Sequence, residues 1–264
     1  MSGMTNRLDG ARLEDCLAVL IHGAGSDSGF MSRAFPREDL GVARCLYLDD
    51  RSGRVSDIAA KLDEVARGAD DPVVLVGVSL GAHAAATSLA RGLDVAGAVL
   101  CMPAWTGPAS GAADMTAAAA EAVSVLGIAA VLGELDPSDW VTRELTRSWN
   151  GRGSEDLAAE LRRAAVQPAP RRQALERIHV PTGVIALSGD PMHPVSVAAA
   201  WTSVIPGAAM EVVSRDRPAE SVSCFGTAAR SALMRASVIP SRPEVAAHAR
   251  VRATPGARAP GRSC

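Results

Sequence analysis

Aromatic side chains are scarce in this sequence, where four Trp, three Phe and one Tyr make up 3% of the 264 residues. The apolar fraction is nevertheless 48%, which is ample for a packed core built mainly from Ala, Val and Leu. A chain of this length suits one large α/β domain, or one domain with a small insertion.

Cysteine is also scarce, and its positions are scattered. The number is odd and no Cys-x-x-Cys pair occurs, so the sequence indicates neither a disulfide framework nor a zinc site. Two of the cysteines lie inside apolar runs, which is typical of small core residues rather than of reactive thiols. The cysteines are Cys16, Cys45, Cys101, Cys224 and Cys264, and the two in apolar runs are Cys45 and Cys101.

A large excess of charge is missing as well. The net charge of -2 gives no electrostatic basis for a nucleic-acid or membrane partner. Residues 1–7 contain no apolar segment typical of a secretory signal. The longest apolar stretch, 111–133, carries Asp114 and Glu121, which favours a buried or lid helix over a membrane span. We therefore expect a cytoplasmic protein.

Strand-like apolar runs alternate with helical stretches along the chain. This alternation favours an α/β fold with a mainly parallel sheet covered by helices. The predicted strands are 16–21, 44–48, 73–78, 95–102, 182–187 and 210–213.

Residues 103–181 separate the fourth and fifth predicted strands, an interval too long for a single crossover helix. Segments 141–149 and 154–166 within it carry charges at helical spacing. We predict a domain over 13–236 with a helical cap inserted at about 104–170. Residues 237–264 are rich in Pro, Ala and Arg without apolar periodicity, and are predicted to form a disordered tail.

The most specific motif is the segment 77–81, Gly-Val-Ser-Leu-Gly, because of what flanks it. An apolar, β-branched run precedes it, and the strong helix-forming segment 82–91 follows. G-x-S-x-G between a strand and a helix is typical of a nucleophile elbow, a sharp turn that exposes the serine hydroxyl. Ser79 is therefore the predicted nucleophile.

A serine nucleophile needs a base, an acid that orients the base, and donors for the oxyanion. The segment 22–26, His-Gly-Ala-Gly-Ser, follows the first predicted strand as a glycine-rich turn whose N–H groups can face the site. We expect the backbone N–H groups of Ala24 and Leu80 to be the oxyanion donors. His22 and Gly23 belong to the same candidate site, with His22 bracing its loop.

Three ordered motifs together resemble the α/β-hydrolase family, most closely its small esterase or thioesterase-like members. They are Leu-Ile-His-Gly at 20–23, the elbow at 77–81, and Gly-Asp-Pro-Met-His-Pro at 189–194. The resemblance covers about 13–236 and implies the α/β-hydrolase fold. It also implies an acid in the loop after the strand that follows the cap, where Asp190 stands; an ordinary Asp-Pro turn is the alternative.

The sequence departs from the family pattern in two places. The family opens with two antiparallel strands before the His-Gly strand, whereas few residues precede that strand here, so we expect a minimal sheet at this edge. The family's catalytic histidine lies in the loop after the last strand. That loop, 213–220, contains no histidine.

The base must therefore come from the five histidines of the chain, His22, His83, His179, His193 and His248. His193 is the strongest candidate, because it shares the loop of Asp190. An acid and a base three residues apart are not expected to converge readily on one hydroxyl. The absence of any base stays open.

We expect a serine hydrolase that acts on a small carboxylic ester or thioester through an acyl-Ser79 intermediate, with no metal or organic cofactor. The alternative is a weak or inactive hydrolase-like protein that binds a ligand or a partner. A dinucleotide-binding fold, based on the glycines of 23–28 and on Asp49 or Asp50, leaves the elbow unexplained. Whether the chain forms homo-oligomers stays open. Trp105, Trp140 and Trp149 are candidates for pocket walls or for core packing.

Overall fold

The computed structural model describes residues 7–8 and 10–238, and its central feature is a parallel β-sheet. Two short strands, β1 (Arg7–Leu8) and β2 (Ala11–Arg12), form a separate antiparallel sheet before it. The central strands are β3 (Leu17–Ile21), β4 (Arg44–Leu48), β5 (Val73–Val78), β6 (Gly97–Cys101), β7 (Thr182–Leu187) and β8 (Ala209–Val213). Their order across the sheet is β4-β3-β5-β6-β7-β8, and every neighbouring pair is parallel.

All six predicted strands are present in this sheet, with small differences at their ends. The largest difference is in β6, which covers only Gly97–Cys101 of the predicted 95–102. Its end has a clear physical cause, because Met102 has a φ of 51°, a left-handed value that takes the chain out of the strand.

Helices cover both faces of the sheet, so alternate residues of the inner strands β3, β5, β6 and β7 are buried on opposite sides. In β3, Val19 and Ile21 pack with α3 (Val55–Arg67) and α4 (Leu80–Ala90) in one cluster, whereas Ala18 and Leu20 pack with α1 (Ser28–Ala34) and α12 (Cys224–Ser237) in another. This double burial explains why the inner strands are almost continuously apolar. The helices are α1 (Ser28–Ala34), α2 (Arg37–Leu40), α3 (Val55–Arg67), α4 (Leu80–Ala90), α5 (Ala112–Leu126), α6 (Ile128–Gly133), α7 (Trp140–Trp149), α8 (Ser154–Ala165), α9 (Arg172–Leu175), α10 (Val195–Val204), α11 (Arg217–Glu220) and α12 (Cys224–Ser237).

The region predicted as a cap, 104–170, contains the four helices α5 to α8 between β6 and β7. The stretch 111–133, predicted as one helix, forms two, because Gly127 between α5 and α6 has a φ of 81°. The two helices are largely exposed, with no fully buried residue in α6. The cap's limits as a separate unit stay a prediction. Within residues 7–8 and 10–238, no helix has the length and apolarity to cross a bilayer.

The C-terminal prediction falls almost entirely outside the described residues. Of the predicted tail 237–264, only Ser237, the last residue of α12, and Val238 are described. The candidate histidine His248 also lies outside them.

Candidate active site

Ser79 lies in a sharp turn between β5 and α4, with a φ of 53° and a ψ of -114°. Such a backbone conformation is strained for a residue with a side chain, by roughly 1–3 kcal/mol, and persists only where the surroundings hold it. The Ser79 N–H donates to the carbonyl oxygen of Cys101, 2.9 Å away. A Cβ on Gly77 would overlap the carbonyl oxygen of Gly81, and one on Gly81 would lie 2.6 Å from that of Ile21. Both glycines of the motif are therefore required by close backbone approach.

His193 connects Ser79 to Asp190 by two hydrogen bonds. Its Nε2 lies 2.9 Å from the Ser79 Oγ, and its Nδ1 lies 2.8 Å from the Asp190 Oδ2. When the carboxylate accepts from Nδ1–H, Nε2 is free to accept the hydroxyl proton of Ser79. The structure thus brings together the three side chains that the sequence proposed as nucleophile, base and acid.

The expectation that an acid and a base three residues apart would not converge on one hydroxyl is wrong here. The loop after β7 turns back on itself, because the Asp190 Oδ1 accepts from the Met192 N–H at 2.9 Å and Gly189 has a φ of 71°. This turn places the imidazole Nδ1 of His193 within hydrogen-bonding distance of the other carboxylate oxygen of Asp190, Oδ2. Parallel pairing of β5, β6 and β7 brings the loop beside Ser79.

The surroundings of Asp190 favour its ionised form. Burial by itself would raise the pKa of this carboxyl. Hydrogen bonds from His193 and from the Met192 N–H, together with the positive charge of Arg215, outweigh burial and lower the pKa below its usual value. Asp190 is therefore a carboxylate at neutral pH, as the orientation of His193 requires.

The loop after β8, where the family places its histidine, has another role in this protein. Arg215 in that loop forms an ion pair with Asp139 at 3.0 Å, and its carbonyl oxygen accepts from the Trp140 Nε1 at 3.1 Å. Asp139 caps the N-terminus of α7. This loop therefore anchors a helix of the cap region, a contact that sequence reasoning missed.

The segment 22–26 lies directly against Ser79. A Cβ on Gly23 would lie 2.9 Å from the Ser79 Cβ, so only glycine allows the loop to pass this close. No hydrogen bond from the Ala24 N–H or the Leu80 N–H is found within residues 7–8 and 10–238. Two unpaired N–H donors in these segments are what an oxyanion site requires.

His22 is buried and braces its own loop, without contacting Ser79. Its Nδ1 lies 2.7 Å from the Gly23 carbonyl oxygen, and its Nε2 accepts from the Asp50 N–H at 3.1 Å. The Asp49 Oδ1 lies 3.1 Å from the same Nε2. The carboxylate of Asp49 therefore lies against His22, whereas that of Asp50 accepts from the Ser52 N–H at 2.9 Å and pairs with Lys61. Both members of the acidic pair that could have bound a ribose are thus engaged within the protein.

His83 is fully buried on α4, and its ring forms no hydrogen bond with Ser79, Asp190 or His193. Its Nε2 accepts from the Ala104 N–H at 3.1 Å, and its ring centre is 4.9 Å from that of Trp105 and 5.6 Å from that of Trp201. Burial, with a smaller effect of the charge of His193, lowers the pKa of His83 to about 3. It is a neutral packing residue at physiological pH. His179 is exposed just before β7.

The three tryptophans named as wall or core candidates are all buried. Each indole N–H donates to a backbone carbonyl: Trp105 to Gln167 at 3.2 Å, Trp140 to Arg215 and Trp149 to Gly25 at 2.8 Å. Trp105 also lines a cavity of about 290 Å³ that includes Pro194, the residue after His193. Core packing is therefore the main role of all three.

Within the described part of the chain, no group of three or more His, Cys, Asp or Glu side chains could hold a metal ion. Glu160 is a second residue that sequence reasoning missed: its Oε1 accepts from the Gly25 N–H at 2.7 Å. The sequence carries no signal for this contact, because the two residues are 135 positions apart and belong to different elements.

Comparison with known proteins identifies the fold. No protein-family model matches this sequence, and no curated protein matches it. A hydrolase from Pseudomonas aeruginosa PA01 is 22% identical, with a TM-score of 0.60 over 86% of this chain and 92% of that one. A thermophilic esterase from Thermogutta terrifontis is 20% identical, with a TM-score of 0.60 over 84% and 90% of the two chains. The enol-lactonase from Burkholderia xenovorans LB400 is 18% identical, with a TM-score of 0.58 over 83% and 94%.

At these identities the similarity establishes the fold, and activity must be argued from the site. The protein has the α/β-hydrolase fold, with a six-stranded parallel sheet flanked by helices. The fold that the three sequence motifs imply is thereby confirmed.

Proposed function

We propose that this protein is a serine hydrolase that cleaves a small carboxylic ester or thioester through an acyl-Ser79 intermediate. The observation that carries the proposal is the continuous hydrogen-bonded chain from the Ser79 Oγ through His193 to Asp190, with distances of 2.9 Å and 2.8 Å. This chain supplies a nucleophile, a base and an orienting acid in the required order.

In the acylation half-reaction, the Ser79 Oγ attacks the substrate carbonyl carbon while the His193 Nε2 takes the hydroxyl proton. The resulting oxyanion accepts hydrogen bonds from the N–H groups of Ala24 and Leu80. When the tetrahedral intermediate collapses, the bond to the leaving group breaks. His193 gives its proton to the departing alkoxide or thiolate, so an alcohol or thiol leaves and the acyl group stays on Ser79.

In the deacylation half-reaction, water takes the place of Ser79 as the nucleophile. His193 accepts a proton from the water as its oxygen attacks the acyl carbon, and returns that proton to the Ser79 Oγ as the intermediate collapses. Asp190 stays ionised throughout and stabilises the imidazolium that forms twice in the cycle. The products are a carboxylic acid and the free enzyme.

A small substrate is favoured by the size of a cavity that reaches the loop of His193. This cavity of about 290 Å³ is lined by Pro194, the residue after His193, and by mainly apolar or small neighbours, among them Trp105 and Val197. Its size lies near the lower end of small-molecule sites. The names esterase and enol-lactonase, carried by two of the similar structures, are consistent with an ester substrate.

The alternative, a ligand-binding or interaction protein without catalysis, depended on the missing histidine in the loop after the last strand. The contact between His193 and Ser79 weighs against it, because a histidine from another loop lies 2.9 Å from the Ser79 hydroxyl oxygen, within reach of its proton.

Hydrolysis of p-nitrophenyl esters of increasing acyl length, and of the matching thiophenyl thioesters, tests the proposal. We expect turnover and labelling by a fluorophosphonate probe, both lost in Ser79→Ala. The matched control is Ser32→Ala, which removes an exposed hydroxyl on α1 that bonds only the carbonyl oxygen of Gly29. Folded protein that neither turns over these substrates nor takes up the probe would refute the proposal and support the binding alternative.

A further inference from the structure

The backbone of Gly25 is held on both sides by buried side chains from the cap region. Its N–H donates to the Glu160 Oε1 at 2.7 Å, and its carbonyl oxygen accepts from the Trp149 Nε1 at 2.8 Å. Glu160 belongs to α8 and Trp149 to α7, whereas Gly25 follows β3 of the central sheet. Two side chains from an inserted region thus fix one residue of the loop that touches Ser79.

Glu160 is itself fixed in place. Its second oxygen, Oε2, forms an ion pair with Arg152, and the two side chains are only 1% and 4% exposed. A buried carboxylate with one oxygen on a guanidinium and the other on an amide has no freedom to turn away. Its position on the Gly25 N–H is therefore determined by the cap region.

Packing around Gly25 leaves little room for another loop conformation. Gly25 has a φ of 70°, and a Cβ there would lie 3.2 Å from the Leu161 Cδ2 and 3.5 Å from the Trp149 Nε1. Leu157 and Leu161 belong to a buried cluster that also contains Trp149. The loop is enclosed by the same cap residues that form its hydrogen bonds.

These contacts also determine which loop amide remains available. The Gly25 N–H is committed to Glu160, and the Ser26 N–H donates to the Gly23 carbonyl oxygen at 3.2 Å. Of the amides at 24–26, the Ala24 N–H is the one without a partner in the described part of the chain. We call the two hydrogen bonds from Gly25 to Glu160 and Trp149 the clamp. The clamp keeps the free Ala24 amide in a fixed orientation in the loop that touches Ser79.

We infer that Glu160 and Trp149 are positioning residues that orient the Ala24 N–H as an oxyanion donor. This inference rests on the proposed function, since it assigns the two residues a role in that same reaction. Arg152 supports it by neutralising the buried carboxylate. The cap region then contributes to transition-state stabilisation through its two contacts with Gly25.

Two independent changes to the clamp test this inference. Trp149→Phe keeps an aromatic side chain but removes the indole N–H that donates to the Gly25 carbonyl oxygen. Glu160→Leu combined with Arg152→Met removes the acceptor and the whole buried ion pair, a replacement that leaves stability close to neutral in other proteins. Glu160→Gln combined with Arg152→Met keeps a carbonyl acceptor for the Gly25 N–H without leaving a buried guanidinium unpaired, and serves as the conservative rescue.

We expect kcat to fall by about 10-fold in Trp149→Phe and by about 10–100-fold in the double variant, below the effect of deleting an oxyanion donor outright. KM should stay within about twofold, because the clamp acts on the transition state. Affinity for an aryl boronate, which forms a tetrahedral anion on serine, should fall in proportion to kcat. The combination of Glu160→Gln with Arg152→Met should restore most of the loss.

The matched control is Glu144→Gln on α7. Glu144 is a buried carboxylate of the cap region that pairs with Arg33 and Arg147 and makes no contact with the loop. We expect its kcat and boronate affinity to equal those of the wild type. If Trp149→Phe and the double variant behave like this control, the inference is wrong.

Amide hydrogen exchange of the peptide containing residues 23–26, measured by mass spectrometry, decides the clamp independently of activity. The inference predicts faster exchange at this loop in both clamp variants and unchanged exchange in Glu144→Gln. Unchanged exchange in the clamp variants would overturn it, even if the wild type hydrolyses esters. If the wild type shows no esterase activity but the clamp variants exchange faster at this loop, the proposed function is refuted while the clamp is supported.

Discussion

The imidazole Nε2 of His193 lies 2.9 Å from the hydroxyl oxygen of Ser79, although the two residues are 114 positions apart in the sequence. The proposed base therefore comes from the same loop as the proposed acid, and not from the loop after the last strand. The loop after β8 instead anchors α7 through the ion pair between Arg215 and Asp139.

Replacing His193 by Ala removes the base while leaving the loop turn at Asp190 and Met192 in place. We expect kcat to fall by about 10²–10⁴-fold, with a small residual rate from the oxyanion donors. Steady-state hydrolysis of a p-nitrophenyl ester measures this effect. His179→Ala is the control, because His179 is exposed and remote from the reacting groups, and its rate should match the wild type. Equal rates in both variants would eliminate His193 as the base.

The ionised state of Asp190 contributes stability that depends on pH. Its pKa is lower in the folded protein than the usual value of about 4 in an unfolded chain, so the unfolded state binds more protons in the acid range. This contribution is present above about pH 4 and is lost as the pH falls through the folded pKa. Urea unfolding from pH 6 to pH 3 should therefore show a steeper loss of stability in the wild type than in Asp190→Asn. Parallel curves for the two proteins would contradict the assignment.

Burial of neutral His83 affects stability in a higher pH range. The pKa of His83 is about 3 in the folded protein against 6.5 when unfolded, so the unfolded state binds more protons between these values. The contribution of neutral His83 to the free energy of unfolding is fully present above pH 6.5. It declines as the pH falls below that value, with a slope of up to about 1.4 kcal/mol per pH unit.

The variant His83→Gln isolates this effect, because an amide oxygen can still accept from the Ala104 N–H. Its free energy of unfolding should be less dependent on pH between 6 and 4 than that of the wild type, and the exposed variant His179→Gln should follow the wild type. An unchanged slope in His83→Gln would show that His83 is not the group that titrates.

Gly81, two residues after Ser79, is predicted to be intolerant of a larger residue for a steric reason. A Cβ on Gly81 would lie 2.6 Å from the Ile21 carbonyl oxygen and 2.7 Å from that of His22, so β3 and α4 would have to move apart. We expect Gly81→Ala to lose about 1–3 kcal/mol of stability and to lower kcat, because β3 leads into the loop that touches Ser79.

Gly133→Ala is the matched control, since no atom lies within 4 Å of a Cβ at that position on α6. Its melting temperature should equal or exceed that of the wild type. Comparable stability of the two alanine variants would contradict the close approach of α4 to β3.

Local sequence patterns determined the sheet and the position of the proposed nucleophile, Ser79. The runs 73–78 and 182–187 form strands over the predicted residues, because continuously apolar, β-branched segments suit a sheet buried on both faces. The spacing of Gly77, Ser79 and Gly81 places the serine in the turn for a reason visible in the chain itself. Only glycine permits the two backbone approaches beside it.

Only the tertiary structure decided which histidine contacts Ser79 and which side chains hold the loop at 22–26. His193 reaches the hydroxyl because a turn closed by Asp190 and Met192 folds the loop back, and because strand pairing sets β7 two positions from β5. The bond from the Gly25 N–H to Glu160 joins residues with no shared motif. Local propensity determines individual elements, whereas contacts between distant segments depend on how those elements pack, and a single sequence does not encode that packing in any local pattern.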